Sequence, residues 1–183
     1  MNFCSHCGSQ EIRFEIPADD TFMRHICSNC GTIHYQNPKM VVGCLPLYKG
    51  KVLMARRAIE PRLGLWNLPA GFMENGEKAE EGAIREVWEE TEAKVKIDRL
   101  HALYSLPQFN QVYLHFIGEL ESDQFAKRTS ESLEVKLFDF DEIPWDEIAF
   151  ESSTFALKKY LKNPDSEKVH IGYFHYKHLG IKE

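Results

Sequence analysis

No stretch of this 183-residue chain approaches the ~18 consecutive apolar residues that a membrane helix requires, so a transmembrane reading is excluded. Basic residues are in the minority, 22 Lys and Arg against 28 Asp and Glu, for a formal net charge of −6. That balance argues against a chain built to neutralise many phosphates of DNA or RNA. A small polyanion stays within reach if metal ions do the neutralising. The first residues, MNFCSHCGSQ, lack the basic leader and the apolar h-region of a secretory signal, and the expected compartment is the cytoplasm. Internal repeats and low-complexity tracts are absent as well. Disulfides are not expected: the five cysteines are odd in number, and four form close pairs, a usage suited to metal thiolates in a reducing compartment. What the chain does hold is 43% hydrophobic and 12% aromatic residues, enough for one ordinary domain plus an appendage.

The composition changes along the chain. Residues 1–36 hold four of the cysteines and few large aliphatics, and cannot bury much core of their own. Pro38 marks the join. Met40–Tyr48 and Val52–Ala55 flank Lys49-Gly50-Lys51 and read as a hairpin. A loop rich in Gly and Pro follows, and then Glu77–Ala93 shows helical periodicity. Strands are expected at His101–Leu106, Val112–Leu120 and Leu133–Phe140, with a second amphipathic helix over Phe150–Leu161 stopped by Asn163-Pro164. Val169–Ile181 is aromatic and His-rich, and reads either as a strand or as an extended tail. The expected divisions are therefore 1–36, 37–162 and a tail over 163–183.

Cys4-x-x-Cys7 and Cys27-x-x-Cys30 each end in a glycine, Gly8 and Gly31. Two residues between thiolates let one tight turn aim both sulfurs at a common point, and the glycine permits the backbone twist that follows. Two such knuckles close a tetrahedral Cys4 zinc site with no open position, so the Zn2+ would be structural and its binding energy would be folding energy. His6, His25 and His34 are alternative ligands, but the symmetry of the pairs favours four thiolates. Cys44 lies in an apolar strand pattern and reads as a small core residue. The segment has only Arg13 and Arg24 against Glu11, Glu15, Asp19 and Asp20, the reverse of a nucleic-acid footprint. Packing on the main domain or helping to build a dimer is the favoured role.

At ~100° per residue, Glu86, Glu89 and Glu90 fall within roughly a 100° arc of one helical face, with Gly82 one turn earlier on the same face. Ile84, Val87, Trp88 and Thr91 occupy the opposite side and are expected to bury it. Like charges at this spacing destabilise a helix unless compensated, and hard divalent cations supply that compensation, leaving positions for water and phosphate oxygens.

Gly71-Phe72-Met73-Glu74-Asn75-Gly76-Glu77, followed by Arg85-Glu86-Val87-Trp88-Glu89-Glu90, matches the Nudix box G-x5-E-x7-R-E-U-x-E-E-x-G-U at its first six fixed positions. The chain resembles a Nudix hydrolase, and the knuckles match those Nudix proteins that carry an N-terminal zinc ribbon. The resemblance implies an α/β fold, a mixed sheet between helices. It also implies Mg2+ (or Mn2+) held by carboxylates at Glu86, Glu89 and Glu90 with the Gly71 carbonyl, and hydrolysis of a diphosphate linked to another group. Glu77 and Arg85 read as supports, Arg85 orienting the neighbouring carboxylates. The general base is a box glutamate or a loop glutamate, for which Glu131 is the first candidate and Glu134 the second. Glu92 and Ala93 replace the family's Gly and aliphatic residue after the box, so the helix is expected to run on.

For the substrate, the Ser-Gln-Pro-Trp-Pro-Phe-Pro signature of NADH pyrophosphatases is replaced by Tyr104-Ser105-Leu106-Pro107-Gln108-Phe109. The segment from Glu131 to Pro144 looks closer to ribbon-bearing proteins similar to plant FAD and ADP-ribose pyrophosphatases. ADP-ribose, FAD or a nucleoside diphosphate sugar is expected, with Tyr104, Phe109 and Tyr113 as candidates to stack a base and Arg56, Arg57 and Arg62 as candidate phosphate contacts. The alternatives are an NADH pyrophosphatase, or a non-catalytic nucleotide-sensing regulator whose ribbon binds nucleic acid. By resemblance, a homodimer is expected.

Overall fold

The structure is a computed structural model that describes residues 1–174. It divides into two compact units, Met1–Asn37 and Pro38–Glu183.

The first unit is a small antiparallel sheet of β1 (Ile12–Glu15), β2 (Arg24–Cys27) and β3 (Ile33–His34) in the order β1-β2-β3. Its buried residues are few, Cys4, Pro17, Ile26 and Cys27, while Phe3, Phe14, Phe22 and Tyr35 stay exposed. So few buried aliphatics leave the unit dependent on whatever joins the four thiols.

The second unit is a mixed sheet with a helix on each face. Its strands are β4 (Lys39–Tyr48), β5 (Lys51–Arg57), β6 (Trp66–Asn67), β7 (Ala70–Phe72), β8 (Val95–Leu106), β9 (Gln111–Leu120), β10 (Ser132–Phe138) and β11 (His170–Tyr173), with helices α1 (Ala79–Thr91) and α2 (Glu151–Lys162). The main order is β10-β5-β4-β9-β8-β11. β4 pairs in parallel with β9, and β11 in parallel with β8. Alternation sends neighbours to opposite faces. Leu45 joins Met54, Trp66, Ile117, Ala156 and Leu157 beneath α2, while Cys44 joins Leu53, Val87, Ala93 and Val95 on the α1 side.

The expected hairpin is present, but its strands part quickly. β4 and β5 pair only at Leu47↔Val52 and Tyr48↔Lys51. Beyond that point β4 pairs with β7 and β5 with β6, so the supposed loop of residues 58–76 contributes two short strands that wedge the fork open. The wedge delivers Gly71 to the Glu86 carboxylate of α1.

Four expectations change. β8 begins at Val95 rather than His101, and over His115–Gly118 β9 is buried on both faces rather than half-buried. α1 does not run on: it ends at Thr91, and Glu92 adopts the left-handed conformation at φ 55°. The Glu92 amide donates to the Trp88 carbonyl at 2.7 Å, Thr91 Oγ1 takes the next amide, and burial of Ala93 and Val95 in the core turns the chain into β8. Finally, α1 does not bury the side carrying Ile84 and Trp88, which are 38% and 49% exposed. Its packed face comprises Gly82, Ala83, Glu86, Val87, Glu90 and Thr91. Small residues decide this, because a Cβ on Gly82 would stand 2.8 Å from Val42 Cγ2, and only a bare helix surface approaches β4 so closely. Of Val169–Ile181, β11 is a strand; residues 175–181 lie outside the described residues.

Candidate active site

The tilt of α1 toward the sheet turns its acidic face over β7. Glu86 and Glu90 are buried at 7% and 6% exposure, and Glu89 stays exposed. The Glu90 carboxylate accepts the Ala70 amide at 3.1 Å. Burial pushes the Glu90 carboxyl up to about 8, with the nearby Glu86 and Glu131 charges adding to the rise and the Ala70 amide opposing it. Glu86 is also raised, first by burial, against the pull of Arg85.

Arg85 binds this cluster together. Its Nε donates to Glu77 at 3.0 Å, Nη1 to Glu86 at 2.6 Å and Glu89 at 2.8 Å, and Nη2 to Glu77 at 2.8 Å and the Phe72 carbonyl at 3.1 Å. All five guanidinium hydrogens are used, and the pairing with Glu77 holds the Glu77 carboxyl below its ordinary value. Glu77 also accepts the Glu74 amide at 2.6 Å, closing the turn that leads into α1. Lys78 caps that helix, its amide donating to Glu81.

A cation fits this place on two grounds. A Cβ on Gly71 would stand 2.5 Å from Glu86 Cδ, so the glycine keeps its own carbonyl and the carboxylate in close approach. Glu90 is a buried acid whose only hydrogen-bond donor among the described residues is a neutral amide, and a divalent cation is the partner such a group lacks. In the first unit, Cys4 Sγ and Cys30 Sγ lie 3.7 Å apart, Cys7 Sγ and Cys27 Sγ 3.6 Å, and all four within 4.8 Å. A zinc tetrahedron with ~2.3 Å bonds has edges of about 3.8 Å. Gly8 and Gly31, at φ 76° and 72°, return their amides to the Cys4 and Cys27 carbonyls. No histidine joins the group among the described residues: His25 packs at a tilt against Phe14, and His34 faces Ser5.

The acidic face opens into a cavity of about 580 Å³. Its lining includes the acids Glu60, Glu74, Glu86, Glu89, Glu90 and Glu131 together with Leu106, Phe109, Tyr113 and Phe150. Glu131 belongs here because its loop is tied to α1: Thr129 Oγ1 donates to the Glu90 carbonyl at 3.2 Å and accepts the Glu131 and Ser132 amides. Glu134 does not belong; it is exposed on β10 and faces Arg56 at 4.0 Å. Tyr104 is likewise removed, buried against Phe155 beneath β11. Arg57 lines the cavity, whereas Arg56 and Arg62 do not. Phe150 and Asn67 escaped the sequence reading. Phe150 opens the expected amphipathic helix and Asn67 falls in the Gly- and Pro-rich loop, so neither carries a site signal; Ser153 Oγ donates to Asn67 Oδ1 at 2.6 Å and pins α2 to β6. Cys44 is a buried core residue.

Comparison with known proteins agrees with this architecture. Residues 37–157 match the NUDIX domain and residues 2–36 the Nudix N-terminal family. The NAD-capped RNA hydrolase NudC of Chromobacterium violaceum is 33% identical over 144 residues, covering 78% of this chain and 51% of that protein. The ADP-ribose pyrophosphatase of Methanocaldococcus jannaschii is 31% identical over 137 residues, covering 70% of this chain and 76% of that protein. The chain thus spans about half the length of the NudC relative. A crystal structure of a NUDIX hydrolase from Nitrosomonas europaea superposes with a TM-score of 0.90 at 47% identity, covering 96% of this chain and 100% of that one. On the fold, the box on α1 and the four-cysteine unit together, the chain belongs to the Nudix hydrolase family and carries that family's N-terminal ribbon.

Proposed function

We propose that the protein hydrolyses the diphosphate bond of a nucleoside diphosphate linked to another moiety, with ADP-ribose first and FAD or a nucleoside diphosphate sugar next. The observation that carries this reading is the cavity itself, lined by the box carboxylates and by aromatic side chains together. Such a shape suits a substrate whose charged centre needs cations and whose flanking groups need stacking. The relative from Methanocaldococcus jannaschii, named an ADP-ribose pyrophosphatase, supports the same class.

Glu86, Glu89, Glu90 and the Gly71 carbonyl would hold Mg2+ or Mn2+. The chemistry supplied there would be neutralisation of the diphosphate charge, acidification of a water and stabilisation of the departing oxygen. The chain's own groups do the rest. Arg85 and Glu77 fix the carboxylates in one arrangement, so little reorganisation remains at the moment of reaction. Glu131, exposed at the cavity and held by Thr129, takes the proton of the attacking water. The products are a nucleoside monophosphate and the phosphorylated remainder. Residues 1–36 carry structural Zn2+, residues 37–162 carry the chemistry, and the enzyme works as a cytoplasmic homodimer, which light scattering on the purified chain checks.

A second reading rests on the relative named an NAD-capped RNA hydrolase, and makes NADH or an NAD-capped RNA end the substrate. A coupled phosphate-release assay with Mg2+ over ADP-ribose, FAD, NADH, NAD-capped RNA, sugar nucleotides and nucleoside triphosphates separates them. Preferred turnover of ADP-ribose, FAD or sugar nucleotides supports the first reading. Preference for NADH or capped RNA replaces it with the second, and silence across the panel from folded protein refutes both in favour of a nucleotide sensor.

A further inference from the structure

Two cations line the cavity, Arg57 and Arg85, and their situations differ. Arg85 has no hydrogen left to give. Arg57 donates only its Nε hydrogen, to the Pro61 carbonyl at 2.9 Å, and its Nη groups have no protein acceptor among the described residues. Its Cζ lies 5.0 Å from the centre of the Phe150 ring, so the guanidinium is shelved on an aromatic face. The Arg57 charge opposes the burial-driven rise of both the Glu90 carboxyl and the Tyr113 hydroxyl, so it lies within electrostatic reach of both.

The support is stiff. Arg57 ends β5, opposite Ser132 of β10, and its amide and carbonyl are both bonded within the Arg57–Leu65 turn. Phe150 immediately precedes α2, which Ser153 pins to Asn67. A half-buried guanidinium beside several carboxylates ordinarily pairs with one of them. Here no carboxylate of the described residues lies within 4.0 Å of it. A planar fork held open in this way matches the paired non-bridging oxygens of a phosphate. Its neighbours are otherwise occupied: Arg56 Nε is spent on the Gly64 carbonyl, and Arg62 does not reach the cavity.

We infer that Arg57, shelved on Phe150, binds the phosphate of the diphosphate that lies farther from the box carboxylates, and so selects substrates in which a second group follows that phosphate along the Tyr113 and Phe109 wall. The inference rests on the proposed diphosphate chemistry and assigns the half of the substrate that the carboxylates do not reach. Arg57 is a binding and specificity residue, and breaking of the phosphate–oxygen bond is left to the box carboxylates.

The test uses the full zinc-loaded chain with Mg2+ and the α,β-methylene analogue of ADP-ribose, which binds without turning over. Calorimetric Kd for the analogue and KM and kcat for ADP-ribose are measured for wild type, Arg57→Ala, Arg57→Lys and Phe150→Leu. Loss of a charge-assisted pair raises Kd and KM by about 10- to 100-fold in Arg57→Ala. Arg57→Lys recovers part of the affinity, Phe150→Leu loses less than Arg57→Ala, and melting temperatures stay close to wild type. Unchanged Kd and KM in Arg57→Ala, with wild type active, overturns the inference alone. A fall confined to kcat with a shifted pH profile also overturns it, because Arg57 would then act through Glu90. If Arg57→Ala does not fold, the folded Arg57→Lys decides: affinity equal to wild type refutes the fork, and affinity lost about threefold or more, as expected for a fork replaced by a point charge, supports it. A wild type that neither binds the analogue nor cleaves any diphosphate of the panel removes both this inference and the proposed function.

Discussion

Glu90→Gln should make the Mg2+-free protein more stable while removing its activity. The Glu90 carboxyl is raised from its ordinary 4.5 to about 8, chiefly by burial. Between those values the folded state holds a proton that the unfolded state has released, so stability falls as pH rises through this window. Above pH 8 the folded protein carries a buried carboxylate, with Glu86 and Glu131 adding repulsion. The full interval corresponds to about 5 kcal/mol as a ceiling. Water in the open cavity relaxes much of it, and a glutamine keeps a buried amide to be satisfied, leaving about 1–2 kcal/mol at pH 8. For a chain of this size that is a rise in Tm of about 3–8 °C. Scanning calorimetry without Mg2+ at pH 5, 6.5 and 8 should show the variant's advantage small at pH 5 and growing with pH. Added Mg2+ should then raise the Tm of wild type and not of Glu90→Gln, because only the carboxylate gains from the ion. A variant equally destabilised at pH 5 and pH 8 would refute the reasoning, since Glu90 would then be an ordinary satisfied side chain.

Gly71→Ala places a Cβ within 2.5 Å of the Glu86 carboxyl carbon, and a displacement of about 1 Å there is expected to lower kcat about 100-fold; steady-state kinetics on ADP-ribose, against a Tm nearly unchanged, checks it. Glu92→Gly relieves the left-handed residue that ends α1 and should stabilise by about 0.5–1 kcal/mol, whereas Glu92→Ala should not; urea denaturation of the pair distinguishes them. Cys27→Ser removes one of four thiolates whose sulfurs lie within 4.8 Å, so metal analysis should show zinc lost and limited proteolysis should cut within residues 1–37 before the rest of the chain.

Much of this was legible because the informative features are local. Cys4-x-x-Cys7 and Cys27-x-x-Cys30 define their own turns, so two tight knuckles and the four-thiol cluster could be read before any fold. The spacing from Gly71 to Glu90 likewise fixes which residues share a helical face. It does not fix which face is pressed against the sheet. That depended on Gly82 and Ala83 meeting Val42 across the chain, and it left Ile84 and Trp88 exposed and two carboxylates buried. The end of α1 was misread for a related reason: Glu92 resists the left-handed region, but burying Ala93 and Val95 outweighs a local cost of about 1 kcal/mol. Arg57, Phe150 and Asn67 come from three separated segments, and only the parting of β4 from β5 makes them neighbours.

The most direct test of the account is the hydrolysis of ADP-ribose by the zinc-loaded chain with and without Mg2+, wild type beside Glu86→Gln, with both products quantified. The account predicts AMP and ribose 5-phosphate in equal amounts from wild type, dependent on Mg2+, and at least about a 100-fold loss in the variant. Undiminished turnover by Glu86→Gln, or no turnover by folded wild type, would contradict it.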